Sequence, residues 1–316
     1  MRYTRREVGK LALMGLPGAV WLARSPLLAA QAARPSSRWA GVDIGMNVPY
    51  NFDRTNKMGG DEILRRCLQL GVGVVELRSQ PVEAFMGAPA PASGGQRGLT
   101  PEQRTAREAA AAALDTWRKS APMDRARAFR QQYEAAGVRI AIVKFDGIFA
   151  MSDDAVDYCF ALAKTLGARA ISCEISVPDT KRLGQFADKH QMMVGYHGHD
   201  DTTPADWEQA FSYAKYNGAN VDLGHFVSGN DTSPIPFITE YHDRVTHVHV
   251  KDMKMHRGPA VPFGEGDVPL KEALQLIRDR HWPIPGIIEF EYRVPAGSTA
   301  MDEMAKCMAY TKACLV

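Results

Sequence analysis

Val245-Thr246-His247-Val248-His249-Val250-Lys251-Asp252 is the stretch on which the reading of the chain turns. Apolar residues alternate there with imidazole and ammonium groups at period two. In a strand this sends Val248 and Val250 to one face and His247, His249 and Lys251 to the other. Burying such a polar face is costly unless groups of opposite charge meet it. A closed parallel barrel satisfies both faces, because its outer surface packs on helices while polar side chains gather inside, near the C-terminal mouth.

Seven more runs of strand character flank this one: Ala40 to Asn47, Gly73 to Ser79, Val138 to Phe145, Ala168 to Ile175, Met192 to His199, Asn220 to His225 and Gly286 to Tyr292. Between them lie amphipathic patterns at about Asp61 to Leu70, Met123 to Ala136, Asp154 to Leu166, Lys181 to His190, Ala205 to Tyr216, Pro236 to His242, Leu270 to Arg280 and Thr299 to the end. Several stop at a glycine, as in Leu70-Gly71, Ala136-Gly137 and Leu166-Gly167, where a left-handed cap is easiest. Eight strands, each followed by a helix, predict a (β/α)₈ barrel over residues 39–316, with an open doubly wound sheet as the alternative. Residues 80–121 break the rhythm after the second strand. They open with a Pro-, Ala- and Gly-rich stretch and continue as Thr100-Pro101-Glu102-Gln103, a capping-box pattern ahead of an Ala-rich run. An insertion at this place overhangs the mouth, either as a lid or as a disordered surface segment.

Composition is that of an ordinary globular chain, with 45% hydrophobic and 23% charged residues. The net charge of +2 is set by the first 32 residues, where Arg2, Arg5, Arg6, Lys10 and Arg24 outnumber Glu7 by four; the remainder is about −2. A nucleic-acid partner is therefore not expected. The same segment continues as an apolar run from Leu11 to Ala23 and small residues near Ala30-Gln31-Ala32, the anatomy of an export signal too short to span a bilayer comfortably. Thr4-Arg5-Arg6-Glu7-Val8-Gly9-Lys10 resembles the twin-arginine motif. The resemblance implies a periplasmic or otherwise exported protein that crosses the membrane folded, with no stable span after signal removal. Cys67, Cys159, Cys173, Cys307 and Cys314 are odd in number and scattered through apolar segments, so buried free thiols are expected.

Alternation places further chemistry inside the barrel. Ser172 and Glu174 point inward on the fourth strand, Glu289 and Glu291 on the eighth, Glu76 and Arg78 on the second, with Lys144 ending the third. His197 and His199 end the fifth run, and Asp222 and His225 the sixth. Each taken alone reads more simply as a structural ion pair or a satisfied core histidine. The convergence of acidic or imidazole groups at the ends of strands four to eight calls for one divalent cation, and a mixed Glu, Asp and His set suits Mn²⁺, Co²⁺, Mg²⁺ or Zn²⁺.

Tyr196-His197-Gly198-His199-Asp200, Asp222-Leu223-Gly224-His225-Phe226, His247-Val248-His249-Val250-Lys251-Asp252, Gly264-Glu265-Gly266 and Glu289-Phe290-Glu291 occur in that order. As an ordered set they resemble the sugar phosphate isomerase/epimerase superfamily, the xylose isomerase-like TIM barrels, and most closely its exported branch. By resemblance to ketose 3-epimerases, the metal ligands would be Glu174, Asp222, His249 and Glu289. Glu174 and Glu289 would also be the catalytic carboxylates, and His225 would touch the substrate. His197 joins His225 as a candidate catalytic imidazole. His199, His247, Lys251, Glu291, Glu76, Arg78 and Lys144 are candidate substrate contacts.

Export and the lack of a glycine-rich phosphate loop favour a non-phosphorylated sugar or keto-sugar as the small-molecule partner. The expected chemistry is proton abstraction beside a carbonyl, as in an isomerase or epimerase. A lyase or hydratase acting on an oxidised 3-keto-glycoside shares that first step, and a non-catalytic sugar-binding protein is the reading from a different class. The sequence leaves a homo-oligomer open. Changing Arg5→Lys together with Arg6→Lys should retain the precursor in the cytoplasm with its barrel folded, as read by fractionation and circular dichroism; unchanged export would contradict twin-arginine routing.

Overall fold

The computed structural model describes residues 34–90 and 99–316. The expected export segment over residues 1–32 lies outside the described residues, as does the Gly- and Ser-containing stretch over residues 91–98. Among the described residues, no helix is long and apolar enough to cross a membrane.

A short strand, β1 (Arg38–Trp39), pairs antiparallel with the barrel's first strand, β2 (Val42–Val48). Seven more strands follow in parallel: β3 (Val74–Arg78), β4 (Arg139–Lys144), β5 (Ala170–Glu174), β6 (Met193–His197), β7 (Asn217–Asp222), β8 (Val245–Val250) and β9 (Gly286–Ile288). Each pairs with the next, and β9 closes on β2 through Ile44↔Gly286 and Met46↔Ile288. The result is a closed (β/α)₈ TIM barrel, as the alternation predicts, and not an open doubly wound sheet. At the seam β9 is short because a side chain replaces its ladder. Asn51 donates to Ile288 O at 2.8 Å and accepts from Phe290 N at 3.1 Å.

The outer layer consists of α1 (Gly60–Leu70), α2 (Ser79–Met86), α3 (Pro101–Arg118), α4 (Met123–Ala135), α5 (Asp153–Leu166), α6 (Val177–His190), α7 (Pro204–Tyr213), α8 (Leu223–Asn230), α9 (Ile235–Tyr241), α10 (Leu270–Asp279) and α11 (Ala300–Leu315). Gly71 and Gly167 cap α1 and α5 in the left-handed region at φ 69° and 77°, as the glycine signals imply. All five cysteines are free and buried. Inside the barrel, Val74, Ala141, Ile142, Ala170 and Ile287 form a separate apolar cluster. Val74 shares its strand face with Glu76 and Arg78, and Ala170 with Ser172 and Glu174, so this cluster plugs the barrel below the polar side chains.

One expectation is corrected. His225 does not end a strand: β7 stops at Asp222, whose carboxylate accepts from His225 N at 2.9 Å and caps α8. A carboxylate at a strand end can satisfy an orphan N–H of the next turn, so the strand yields to a helix at once. In the insertion, α2 follows β3 directly. The capping box of Thr100 and Gln103 does start α3.

Only Arg118 of α3 is buried, and its guanidinium reaches the buried Glu83 of α2 at 2.8 Å. Asp115 adds hydrogen bonds from Ser152 at 2.7 and 2.8 Å. Breaking a buried pair from one side leaves an uncompensated charge, so Glu83→Gln should cost about 3–5 kcal/mol in urea unfolding. A loss near zero would mean that α3 does not depend on this pair.

Candidate metal centre

The centre is built from strand ends because alternation sends every second residue of each strand toward the barrel axis. Asp222, His249 and Glu289, from β7, β8 and the end of β9, meet there. His249 Nδ1 lies 3.5 Å from Asp222 Oδ2 and 3.5 Å from Glu289 Oε2. His197 Nε2 approaches Asp222 Oδ2 at 3.4 Å, which completes a buried set of four. Of the four ligands implied by resemblance, Asp222, His249 and Glu289 come together; Glu174 lies outside that cluster. Half-exposed, Glu174 receives Lys144 Nζ at 2.8 Å, His197 Nδ1 at 2.9 Å and His199 Nε2 at 2.8 Å. His197 therefore stands between Glu174 and the other three.

Below this level His249 Nε2 meets Glu76 Oε2 at 2.6 Å. Glu76 also takes Ser172 Oγ at 2.8 Å and lies 3.4 Å from His247 Nε2. Glu76 and His247, both candidate substrate contacts, are fully buried and held against each other beneath His249. Their inward direction follows from period two, but depth along the axis does not. Gly195 leaves room for this layer, since a Cβ there would sit 2.2 Å from Thr246 Oγ1 and 3.3 Å from the His247 ring.

Lys251 is buried among Glu289 Oε2 at 2.7 Å, Glu291 Oε2 at 2.7 Å and Asp222 Oδ2 at 3.0 Å. It is thus part of the charge network under the mouth. Its Nζ also lies 2.9 Å from His225 Nε2, and His225 Nδ1 is 2.6 Å from Asp200 Oδ1. Glu291 accepts from Tyr50 Oη and, at 3.1 Å, from Arg54. Arg78 pairs with Asp146 at 2.5 Å and lies over the Tyr50 ring at 4.8 Å. Asp200, Tyr50, Arg54, Asn47 and Asn220 were not singled out from the sequence. Asp200 directly follows the paired histidines; the other four carried no recognisable signal.

The electrostatics follow from burial set against these pairs. Burial opposes ionisation of Asp222, yet Lys251 and His225 hold it well below the usual carboxylate range. Glu289 is likewise lowered, against burial, by Lys251 and His249. Burial disfavours charge on Lys251, but Asp222, Glu289 and Glu291 carry its pKa well above 10.5. His247 moves the other way, since burial outweighs Glu76 and lowers it to about 4, leaving a neutral ring.

A cation fits this donor set on one observation in particular. His249 Nδ1 is buried without a hydrogen-bond partner, facing two carboxylate oxygens, while the ring's other nitrogen is taken by Glu76. With its Nε2–H given to Glu76, a neutral ring would direct the Nδ1 lone pair at two anions, which is unfavourable unless a proton or a metal cation lies between them. Without a metal cation, the surrounding carboxylates outweigh burial and hold the ring's pKa well above its usual value. Glu174, Asp222, Glu289 and Glu291 share the ammonium groups of Lys144 and Lys251 and the guanidinium of Arg54, and Glu76 meets only imidazoles, so carboxylates outnumber these permanent cations and leave room for a further positive charge.

Residues 172–312 match the xylose isomerase-like TIM barrel family. The fold is the xylose isomerase-like TIM barrel. No curated protein sequence matches the chain. A sugar phosphate isomerase/epimerase from Parabacteroides distasonis superposes with a TM-score of 0.57 at 14% identity, covering 89% of this chain and 98% of that one. The 3-keto-D-glucoside 4-epimerase of E. coli gives 0.53 at 12%, covering 84% and 98%. A xylose isomerase-like TIM barrel protein from Mycobacterium smegmatis, in complex with magnesium, gives 0.52 at 12%, covering 87% and 98%. At these identities the likeness is one of fold.

In a xylose isomerase-like barrel of this geometry, Glu76 orients the ring that faces the cation position. Loss of such an outer carboxylate typically weakens metal binding by about 10–100-fold. Glu76→Gln should show that loss in Mn²⁺ titration calorimetry while keeping its circular dichroism; unchanged affinity would remove Glu76 from the site's support.

Proposed function

We propose that this chain is an exported, metal-dependent enzyme of the sugar isomerase or epimerase type, which removes a proton beside the carbonyl of a non-phosphorylated sugar or keto-sugar. The unpartnered Nδ1 of His249 between Asp222 and Glu289 carries the reading. The fold shared with a 3-keto-glucoside epimerase and a sugar phosphate isomerase/epimerase supports it. A divalent cation held by Asp222, His249 and Glu289, with His197 or Glu174 as a further ligand, would stabilise negative charge developing on substrate oxygen.

The chain's own groups divide the remaining work. Glu174 is held well below the usual carboxylate range against burial by His197, His199 and Lys144, and Glu289 is lowered similarly, so both favour holding positive charge over taking a proton. His225 is better placed for proton transfer. Asp200 fixes its Nδ1 side at 2.6 Å, and its Nε2 accepts from Lys251 Nζ at 2.9 Å, which gives the imidazole a partner for exchanging a proton. Glu291, steadied by Tyr50 and Arg54, is positioned to accept a substrate hydroxyl. Carboxylates crowd the mouth, and Arg54 and Arg78 are already paired with acids, which disfavours a phosphate dianion and favours a neutral sugar.

One observation favours a lyase as the second reading. The half-exposed His199 ring lies 4.7 Å from that of His225, which gives the mouth a second imidazole to protonate a departing glycosidic oxygen. Both readings share the proton-abstraction step. Incubation with keto-sugars and 3-keto-glycosides in deuterated buffer should place deuterium on the carbon next to the carbonyl, and chelation should stop the exchange. His225→Asn should slow it by about 10²–10⁴-fold. Conversion without label would overturn proton abstraction and point to a hydride shift; a protein that holds no metal and exchanges nothing would return the case to a binding protein.

A further inference from the structure

Beside the mouth, under α3, lies a cleft of about 640 Å³ that the proposed chemistry does not use. That volume falls within the range of about 300–1,000 Å³ of small-molecule sites. Its lining mixes apolar and polar groups: α3 brings Ala111, Ala112 and Leu114 together with Asp115, and Gln80 and Asp146 lie among the rest. The insertion after β3 supplies the α3 residues, so the cleft belongs to the part of the chain that departs from the plain eight-unit rhythm.

A line of contacts joins the cleft to the metal centre. Glu291 accepts from Tyr50, the Tyr50 ring faces Arg78, Arg78 pairs with Asp146, and Asp146 accepts from Gln80 at 2.8 Å. Gln80 spends its amide N–H on Asp146, and its Oε1 is buried without a hydrogen-bond partner among the described residues. An unpaired buried acceptor beside an open cleft invites a donor from a ligand. Arg118 is matched by Glu83 and Asp146 by Arg78, while Asp115, which also lines the cleft, takes its hydrogen bonds from Ser152 and adds an acceptor for a ligand hydroxyl. Methyl groups interspersed with hydrogen-bonding groups match a sugar ring, which presents both C–H faces and hydroxyls.

We infer that this cleft is a second sugar subsite, which holds the outer ring of a disaccharide or comparable glycoside while the inner ring lies at the mouth. The inference rests on the carbohydrate reading of the mouth but not on its reaction. Calorimetric titration of the full chain with glucose, cellobiose and maltose reads binding without turnover. At least one disaccharide should bind about tenfold more tightly than glucose, because the second ring adds contacts to a preformed site. Ala112→Trp, at an exposed helix position, should fill the cleft and bring that ratio close to one, and Gln80→Ala should lower it in the same direction. Disaccharides that bind no better than glucose, or a ratio untouched by Ala112→Trp in a protein of unchanged melting temperature, would overturn the subsite. Tight disaccharide binding without deuterium exchange on any keto-sugar would support the subsite and remove the proton-abstraction reading.

Discussion

Ionised groups removed from water at the mouth of a barrel set the terms for everything around them. Glu76, Asp222 and Glu289 are buried, and each unpaired buried ion costs several kcal/mol. The compensation is shared: Lys251 serves Asp222, Glu289 and Glu291 together, Lys144 serves Glu174, and Glu76 is met by His249 and Ser172. Shared compensation is geometrically demanding, since moving one member exposes the charge of several others. The network thus preorganises the site at the same time as it makes burial tolerable.

The fold supplies this network through the places where its strands stop. Asp222 ends β7 and caps α8 with one oxygen, which leaves the other directed at His197, His249 and Lys251. Asn51 takes over the ladder at the end of β9, so that Glu289 and Glu291 follow the last regular pair and still face the axis. Side chains at such ends are held by rigid strands while their tips reach the mouth, a combination suited to placing ligands and acid–base groups accurately.

Much of this was legible beforehand, and for a definite reason. Period-two alternation at Val248 and Val250 told which side of β8 would be polar, and the same rule held for Glu76, Ser172 and Glu174. Glycines after helical runs marked two of the caps. Less legible were boundaries where a side chain takes over a backbone hydrogen bond, as at Asp222 and Asn51, because that exchange depends on a partner that local propensity does not contain. The order within the insertion was hidden similarly: the Arg118–Glu83 pair joins residues of α3 and α2 across the stretch at residues 91–98.

The sequence by itself determined the eight-unit alternation, the inward set of acidic, imidazole and ammonium groups, and the excess of carboxylate over ammonium that makes a cation chemically reasonable. Tertiary structure alone decided how deep each group sits and what it faces. It put Glu76 and His247 below the mouth, drew His197 between Glu174 and the other carboxylates, buried Lys251 among three acids, and brought Asp200 against His225. The physical reason is that alternation along a strand has only two values, inward or outward. Height along the barrel axis and the identity of the neighbour depend on the stagger of all eight strands, a property of the closed sheet that no single segment carries.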